Sequence, residues 1–514
     1  MPSIADLIFV ALLATLVFTP LSVKLLGDAG IGWHIRTGQL ILANHAVPRV
    51  DPFSSSMAGK PWFAWEWLYD VAAGELDARL GLNGVVWLTA VVIAVVFAWL
   101  FQMMLRRGVN LAVALVLVLL ALAASMIHFL ARPHVMSWLF TLIWFWVLDS
   151  SEEDLLGTRS RRRLWVLPLL MLVWVNIHGG FLVGFVLLAI FWLDAIWTWL
   201  AAKDGRMEDV LRKIAARKRA LNLLWIGLVS LALSLVNPYG WRLYAHIYSY
   251  LSSRFLMDHI EEFQSPNFHG VAQRCFVVLV LITVAALALR DYRRNVRLSG
   301  VLTILFAVYV GLYASRNIPV SSLLLVVTVA PLILWKKSAT GFLQRMQQIE
   351  LRQRGHMWPV LGIIITFAIA ANSGRVGSNI LMNAHFDPRR MPVGAVDFIS
   401  ENHLAGPVLS PDFWGGYLIY RLYPNQRAVV DDRHDFYGEE FLKSYLKTIR
   451  AEADWRGFIQ EYQPSCVLLP RNSPLASVLV ESHDWKSIYG DDVAIAFVSN
   501  SASDEQDSVR DSQR

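Results

Sequence analysis

The stretch GVVWLTAVVIAVVFAWLFQMM, residues 84–104, carries no charged side chain. A helix needs about 20 apolar residues to cross roughly 30 Å of hydrocarbon, and this window is long enough. Similar apolar windows recur along the chain, separated by short charged or Pro/Gly-bearing stretches. With 56% hydrophobic and only 17% charged residues among 514, the composition is too apolar for a soluble protein. We therefore predict a polytopic α-helical membrane protein.

The hydropathy pattern divides the chain into a membrane part and a C-terminal part. It predicts about eleven spans of the length that a membrane requires. The predicted spans are 4–26, 84–104, 110–130, 135–148, 164–178, 180–200, 221–236, 271–289, 298–314, 317–335 and 357–373. We expect a membrane domain over 1–373 with a large first outer loop at 27–83, then an extracytoplasmic α/β domain over 374–500. The tail 501–514 has no apolar face and is predicted to be disordered.

The distribution of Lys and Arg among the loops predicts the orientation. One set of loops is strongly basic, and cationic loops stay in the cytoplasm. The basic loops are 106–107, 159–163, 203–219, 290–297 and 336–354. The loops of the opposite set carry few cations, which places the N-terminus in the cytoplasm and the loop 27–83 and the C-terminal domain outside. Anionic lipid on the cytoplasmic side then accounts for the net charge of +6, and no nucleic-acid partner is predicted.

The polar motifs concentrate on the predicted outer side. Each has a plain structural explanation, since tryptophans can mark a membrane interface, prolines can end helices and arginines can reach toward headgroups. Together, however, they would gather ionisable groups near one membrane plane, which is costly without water, partners or a ligand. We therefore predict one polar cavity on the outer side. Its candidate members are Asp28, His34, Arg36, Arg132, His134, Asn176, His178, Glu261, Glu262 and Arg316.

The residue types in this predicted cavity suggest its ligand. Arginine and histidine bind phosphate oxygens, while carboxylates abstract protons or bind a divalent cation. A phosphate-bearing lipid fits this mixture, with its tail between helices, its phosphate against Arg132 and Arg316 and its reactive carbon near Asp28.

The loop 27–83 is too long for a passive connector. Its segments WFAWEWLYDVAA, residues 62–73, and GELDARLGLN, residues 74–83, are predicted to form amphipathic helices. Such helices would lie at the membrane interface with their apolar faces toward lipid, covering the cavity.

Helical and strand patterns alternate in the C-terminal part, as in an α/β domain. The strand candidates are 407–411, 427–432, 465–470, 487–490 and 493–499. The motif DFWGGYL, residues 412–418, places Trp414 and a glycine pair where a strand meets a helix. We interpret DDRHD, residues 431–435, as a tight turn with a solvated charge run. The alternative is that both motifs bind an acceptor or dock on the membrane cavity, and Trp414 and Tyr417 are the substrate-binding candidates there.

Several of these motifs resemble a group of bacterial proteins in the GT-C superfamily of membrane glycosyltransferases. The motifs are WHIRTGQLILANHAVPRVDPFSSSMAGKPWFAWEWL (33–68), ARPHVMSWLF (131–140), WVNIHGGFLVG (174–184), NPYGW (237–241), SRNIPV (315–320) and DFWGGYLIYRLYPNQRAVVDDRHDFYG (412–438). The resemblance implies a polyprenyl-phosphate-linked sugar donor and key carboxylates in the first outer loop. It makes Asp28 the catalytic candidate, with Asp51 or Glu66 as the second acid. Two adjacent acids do not follow the first helix, which leaves the general base and a magnesium or manganese cofactor open.

The function implied by the resemblance is sugar transfer at the outer face of a bacterial cytoplasmic membrane. The acceptor would be an envelope glycan, lipid or protein, deprotonated by a carboxylate on the attacking side. Cations would stabilise the departing phosphate, and His34 or His134 is a candidate donor to the leaving oxygen. A lipid-linked oligosaccharide flippase, a ligase or an envelope assembly factor is the alternative, although the repeated halves typical of transporters are not evident in the sequence.

Overall fold

The computed structural model describes residues 2–153, 162–202, 206–289, 296–333, 341–353 and 356–500. Most of these residues are helical. The membrane part contains helices Ile4–Phe18, Leu21–Leu25, Ile31–Asn44, Trp67–Leu80, Leu82–Arg106, Leu111–Ser125, His134–Glu153, Val166–Trp174, Leu182–Ala201, Met207–Ser234, Arg242–Ser252, Arg254–His259, Val271–Ala288, Leu298–Tyr313, Ile318–Val329, Gly341–Arg352 and Met357–Ala371. The C-terminal part contains helices Val393–Glu401, Asp412–Leu422, His434–Tyr437, Glu439–Ile449, Trp455–Tyr462 and Pro474–Glu481.

Each predicted span overlaps a helix, but fewer helices are long and apolar enough to cross a membrane. Among the described residues there are 5 such helices, or up to 6 if one bent pair of helices forms a single span. The 5 helices are Leu82–Arg106, Leu111–His128, Gly179–Ala201, Val271–Ala288 and Ser315–Leu332. Ile4–Phe18 and Leu298–Tyr313 are shorter apolar helices. The chain is therefore a multi-pass membrane protein, and the total of eleven spans stays a prediction. Much of the basic loop sequence and the tail 501–514 lie outside the described residues.

Local sequence signals set several helix ends. Ser3 and Asp6 form a capping box at the first helix, in which each side chain accepts a hydrogen bond from the other residue's backbone N–H. Asn110 caps Leu111–Ser125 by accepting from the backbone N–H of Ala112 at 2.9 Å. Gly81 separates Trp67–Leu80 from Leu82–Arg106 with φ of 62°, a conformation that favours glycine.

The first loop differs from its predicted form. Its second half contains one helix, Trp67–Leu80, where two amphipathic helices were predicted. Residues 62–66 precede this helix without helical structure. A second helix, Ile31–Asn44, was not predicted. The two helices pack closely because Gly38 and Gly74 face each other: a Cβ on Gly38 would lie 1.8 Å from the carbonyl oxygen of Asp70. The inner face of Trp67–Leu80 therefore packs on protein, whereas the sequence predicted lipid contact.

A four-stranded sheet forms the centre of the C-terminal part. Its order is Val408–Leu409, Cys466–Pro470, Ala494–Ser499 and Trp485–Gly490, with the first pair parallel and the others antiparallel. The predicted strand 427–432 is not a member of this sheet. Instead, Ala428 forms isolated bridges with both Val408 and Ser54. Ser54 belongs to the first outer loop, so backbone pairing joins that loop to the C-terminal part.

The hydrophobic core does not stop at residue 373. One cluster of buried side chains runs from Leu13 in the first helix to Leu418 and Ala496 in the C-terminal part. A second cluster, which includes Leu409 and Tyr445, lies within the C-terminal part. The first loop and the C-terminal part therefore pack as one unit, and the boundary at residue 373 stays a prediction.

Candidate functional site

Asp28 and Arg132 meet at the start of the first loop. The Asp28 carboxylate accepts a hydrogen bond from the backbone N–H of Gly30 at 2.8 Å and lies 2.7 Å from Arg132 Nη1. The backbone places the two residues together, because the N–H of Ala131 donates to the carbonyl of Leu25 at 2.7 Å. The structure thus joins two motifs that are 104 positions apart in the sequence.

Asp432 brings a second carboxylate to the same arginine. Its Oδ2 lies 3.5 Å from Arg132 Nη1, and its Oδ1 accepts from the indole N–H of Trp33 at 3.0 Å. Burial raises the pKa of Asp432 to about 7, although Arg132 opposes this rise. The side chains of Asp28, Arg132 and Asp432 are 27%, 24% and 13% exposed, so water reaches the cluster. We call Asp28, Arg132 and Asp432 the acid–arginine cluster.

Glycines allow this close approach. A Cβ on Gly30 would lie 2.3 Å from Asp432 Oδ2 and 3.3 Å from Arg132 Cζ. A Cβ on Gly416 would lie 2.2 Å from the carbonyl oxygen of Ala29. The glycine pair of DFWGGYL therefore permits the Asp412–Leu422 helix to pack directly against the turn that carries Asp28.

Two residues of the DDRHD motif are buried and the other three are partly exposed, so the interpretation as a solvated charge run is wrong for Asp431 and Arg433. Asp431 is 0% exposed and Arg433 is 3% exposed. The Asp431 carboxylate accepts from Arg433 Nε at 2.8 Å and from the Tyr437 hydroxyl at 2.8 Å. A buried charge needs such partners, because unpaired charges are strongly destabilising away from water. The motif docks the C-terminal part on the first loop and directs Asp432 toward Arg132.

Asp51 belongs to this same docking contact. Its carboxylate lies 2.8 Å from Arg433 Nη1 and accepts from the backbone N–H groups of Phe53 and Ser54 at 3.2 and 2.9 Å. The guanidinium of Arg433 lies over the ring of Trp62 at 4.6 Å. The structure therefore places Asp51, a candidate second acid, within a buried ion pair and away from the acid–arginine cluster.

Glu66 lies between two histidines. Its carboxylate oxygens are 3.8 Å from His34 Nε2 and 3.8 Å from His178 Nε2. Burial raises the pKa of Glu66 to about 8, so its carboxyl retains a proton at neutral pH. His178 Nδ1 is held by the Ser137 hydroxyl at 2.8 Å.

His34 also contacts Asp70, a residue that was not among the predicted site residues. Its Nδ1 lies 2.6 Å from Asp70 Oδ1, with both side chains fully buried. Burial lowers the pKa of His34 and raises the pKa of Asp70, so it opposes charge on both side chains. His34 Nε2 and Asp70 Oδ2 have no hydrogen-bond partner among the described residues. The spacing of Glu66 and Asp70, four residues apart, was the available signal, since residues at this spacing share a helix face.

Arg316 pairs with Glu262, whereas Glu261 is exposed. Arg316 Nη1 lies 3.1 Å from Glu262 Oε1, and its guanidinium lies 4.6 Å from the centre of the Phe263 ring. Burial opposes ionisation of Glu262, but Arg316 and then Arg132 outweigh it and hold its pKa at about 2. Of the two adjacent glutamates, Glu262 is therefore the one that pairs with an arginine.

Three predicted members of the cavity are held mainly by internal hydrogen bonds. His134 Nε2 lies 3.0 Å from the carbonyl of His128. The Asn176 side chain accepts from Trp67 Nε1 at 2.7 Å and donates to two backbone carbonyls. Arg36 Nε donates to the carbonyl of Tyr420 at 2.9 Å. These hydrogen bonds fix the positions of the three side chains within the protein.

The two C-terminal candidates are buried. Trp414 and Tyr417 are each 1% exposed. Trp414 Nε1 donates to the carbonyl of Arg390 at 2.8 Å, and the Tyr417 hydroxyl accepts from Arg421 Nη1 at 2.9 Å. Trp414 therefore positions the backbone of Arg390 and presents no free surface to a ligand.

The two carboxylates of the acid–arginine cluster do not supply the set of ligands that a metal ion needs. Within the described ranges, no group of three or more His, Cys, Asp or Glu residues is arranged to hold a metal ion. Magnesium prefers about six oxygen ligands, whereas the guanidinium of Arg132 lies between Asp28 and Asp432. The sequence left a magnesium or manganese cofactor open. Asp28, Arg132 and Asp432 do not fit such an ion.

Comparisons with known proteins identify the fold. No known family model and no curated protein matches the chain. Among solved structures, the chain is similar to the oligosaccharyltransferase AglB from Archaeoglobus fulgidus, in complex with an inhibitory peptide and a dolichol-phosphate. The TM-score is 0.58 at 10% identity, covering 91% of this chain and 69% of AglB. A second match is ArnT from Cupriavidus metallidurans bound to undecaprenyl phosphate, with TM-score 0.48, 12% identity, and coverage of 96% and 97%. The chain therefore shares its fold with the oligosaccharyltransferase AglB.

Proposed function

We propose that this protein is a glycosyltransferase that moves a sugar from a polyprenyl-phosphate carrier to an acceptor of the cell envelope. The proposed location is the outer face of a bacterial cytoplasmic membrane, with the N-terminus in the cytoplasm. The fold supports the class of enzyme, because AglB is an oligosaccharyltransferase solved with a dolichol-phosphate. The observation that carries the proposal is the acid–arginine cluster, in which a guanidinium suited to phosphate lies against two carboxylates.

The cluster suits a displacement at the anomeric carbon. The bond between the anomeric carbon and the phosphate oxygen breaks, and the polyprenyl phosphate leaves with the electron pair. The acceptor oxygen forms the new bond to the anomeric carbon, and its proton passes to a carboxylate. Asp28 is the proposed base, and Arg132 stabilises the charge that develops on the leaving phosphate.

The pairing of Asp28 with Arg132 suggests how the base becomes active. A phosphodiester competes with a carboxylate for the same guanidinium, because both are oxyanions bound by charge-assisted hydrogen bonds. Donor binding would therefore draw Arg132 from Asp28 and free the carboxylate at the reacting centre. Asp432 would keep Arg132 oriented during this exchange, since it contacts the same Nη1 atom and is fixed by Trp33.

Arg316 and Glu66 have proposed supporting roles. Arg316 is proposed as a second cation, beside Arg132, that contacts the phosphate of the donor. Glu66 retains its proton at neutral pH, so it acts in the proposal as a hydrogen-bond donor to the leaving oxygen or the sugar. Asp51 has a positioning role, because its carboxylate is occupied by Arg433.

The experiment is transfer of radiolabel from polyprenyl-phosphate sugars by the purified chain in lipid. We expect Asp28→Asn to fold and to lose transfer by a factor of about 100 to 10,000, the usual contribution of general base catalysis. Arg132→Lys keeps the charge but removes the fork geometry and is expected to weaken transfer. Glu261→Gln is the matched control, because Glu261 is exposed. Full activity of Asp28→Asn would remove Asp28 as base, and donor binding without any turnover by the wild type would favour a flippase or assembly factor.

A further inference from the structure

A cleft opens beside the turn that carries Asp28. It has a volume of about 660 Å³ and lies between the end of the Ile4–Phe18 helix and the segment 381–390. Its apolar wall includes Phe18 and Leu381, and Gly27 also lines it. Gly27 directly precedes Asp28, so the cleft reaches the turn that carries the proposed base, although Asp28 itself does not line it.

Two cations on the rim of the cleft form no ion pair with a described carboxylate. Lys24 and Arg390 line the cleft and are exposed, and neither forms an ion pair within the part of the chain that the structure describes. Their neighbour Arg389 is different, because its Nε and Nη2 each lie 3.2 Å from the Asp387 carboxylate. Asp387 also lines the cleft, and Arg389 and then Arg390 lower the pKa of its carboxyl. The cleft therefore has three cations, Lys24, Arg389 and Arg390, against one carboxylate, beside an apolar wall.

Arg390 is held in place at its backbone. Its carbonyl accepts from the indole N–H of buried Trp414 at 2.8 Å, and its N–H donates to the carbonyl of Asp387 at 2.9 Å. Its Nη1 packs against Gly27, 3.4 Å from the position that a Cβ would occupy. A cation on a fixed backbone loses less entropy on binding an anion than one on a mobile surface segment does.

We propose that this cleft binds the phosphate-bearing headgroup of an anionic membrane lipid, which is the acceptor of the transferred sugar. The inference rests on the proposed function. Lys24 and Arg390 bind the lipid phosphate, and the apolar wall at the end of the first helix contacts the first methylenes of the chain. A headgroup hydroxyl then reaches Asp28. Arg132 and Arg316 then remain available to bind the phosphate of the sugar donor.

Binding to the purified full chain in neutral detergent tests the proposal without requiring turnover. The probe is dihexanoyl phosphatidylglycerol, which carries one phosphate and free hydroxyls, measured by titration calorimetry. Dihexanoyl phosphatidylcholine, with no net charge, and inorganic phosphate, with no apolar chain, are the comparison ligands. We expect the phosphatidylglycerol to bind more tightly than either.

The test variant is Lys24→Gln with Arg390→Gln, and the matched control is Arg389→Lys. Both affect exposed side chains of the same rim, so the fold is expected to remain intact. We expect the double variant to bind the phosphatidylglycerol at least roughly tenfold more weakly, because it loses charge-assisted hydrogen bonds to the phosphate. Arg389→Lys should bind like the wild type, since lysine keeps a positive charge beside Asp387 and leaves the charge of the cleft unchanged.

Several outcomes overturn the proposal. Unchanged binding by the double variant would show that Lys24 and Arg390 do not hold the headgroup, and equally tight binding of inorganic phosphate would show a site for the free anion. Sugar transfer is measured separately with labelled donor. If the wild type transfers sugar but does not bind the phosphatidylglycerol, the cleft inference fails and the proposed function stands. If the lipid binds through both cations but no donor is consumed, the lipid site stands and its role as acceptor fails.

Discussion

Replacing Glu66 with glutamine should change the pH dependence of stability. Burial raises the pKa of Glu66 from 4.5 to about 8. Because the folded-state pKa lies above the unfolded one, the folded protein holds the proton more tightly. The stabilisation from this proton is complete below pH 4.5 and is lost as the pH rises through about 8. Glutamine has nearly the same shape and stays neutral at every pH, so it removes this loss.

The size of the effect follows from the two pKa values. Each pKa unit corresponds to ~1.4 kcal/mol, so the full difference is ~5 kcal/mol. At pH 7 the wild type has lost ~3 kcal/mol of this amount relative to a side chain that never ionises. The Glu66→Gln chain should therefore match the wild type near pH 4.5, exceed it by ~3 kcal/mol at pH 7, and exceed it by ~5 kcal/mol above pH 8.5.

The assay is denaturant unfolding of the purified chain in lipid nanodiscs between pH 4.5 and 9. Subtracting the wild-type free energy of unfolding from that of Glu66→Gln cancels the other titrating groups. Glu262→Gln is the control, because the pKa of Glu262 is held at about 2. Its ionised form stabilises the fold above pH 4.5, so this variant should lose stability by an amount that is nearly constant across the range. A Glu66→Gln difference that is the same at pH 5 and pH 8.5 would refute the reasoning.

Three further predictions concern the cluster, the docking contact and metal ions. Gly30→Ala places a Cβ 2.3 Å from Asp432 Oδ2 and should reduce sugar transfer at least roughly tenfold while the chain still folds. Gly490→Ala is the control, because a Cβ there has no neighbouring atom within 4 Å, and it should leave sugar transfer unchanged. Equal transfer by the two variants would contradict the prediction. Arg433→Met leaves Asp51 unpaired in the core and should cost about 3–5 kcal/mol of unfolding free energy, whereas a loss below ~1 kcal/mol would show a weak contact. Incubation with EDTA should leave transfer unchanged, and restoration of lost transfer by magnesium would show that a metal is required.

The membrane class and the grouping of Asp28 with Arg132 were accessible from the sequence for physical reasons, while one shared polar cavity stays a prediction. Apolar windows of membrane length are rare in soluble proteins, because such a helix would expose a large apolar surface to water. Ionisable residues at helix ends also need shared partners, and the structure brings Asp28 together with Arg132 as the pattern indicated. The helices at the predicted spans follow from local composition alone.

The rest depended on contacts that local patterns do not encode. Asp432 looked like part of a solvated run because acidic and basic neighbours usually face water. Its partner Trp33 is 399 positions away, and nothing in either motif states that they touch. The Ile31–Asn44 helix was missed because its polar residues, such as His34 and Arg36, turn toward other protein segments, so its pattern differs from that of a simple amphipathic helix.

The contact between Trp33 and Asp432 has a consequence for the order in which this protein matures. A ribosome delivers the first loop long before it delivers Asp432, so the nascent chain presents Asp28 and Arg132 as a simple ion pair. Asp432 joins them only when the C-terminal part has been made and has packed against the first loop. A chain that stops before residue 432 therefore carries an incomplete acid–arginine cluster, which is completed only when the C-terminal part packs against the first loop.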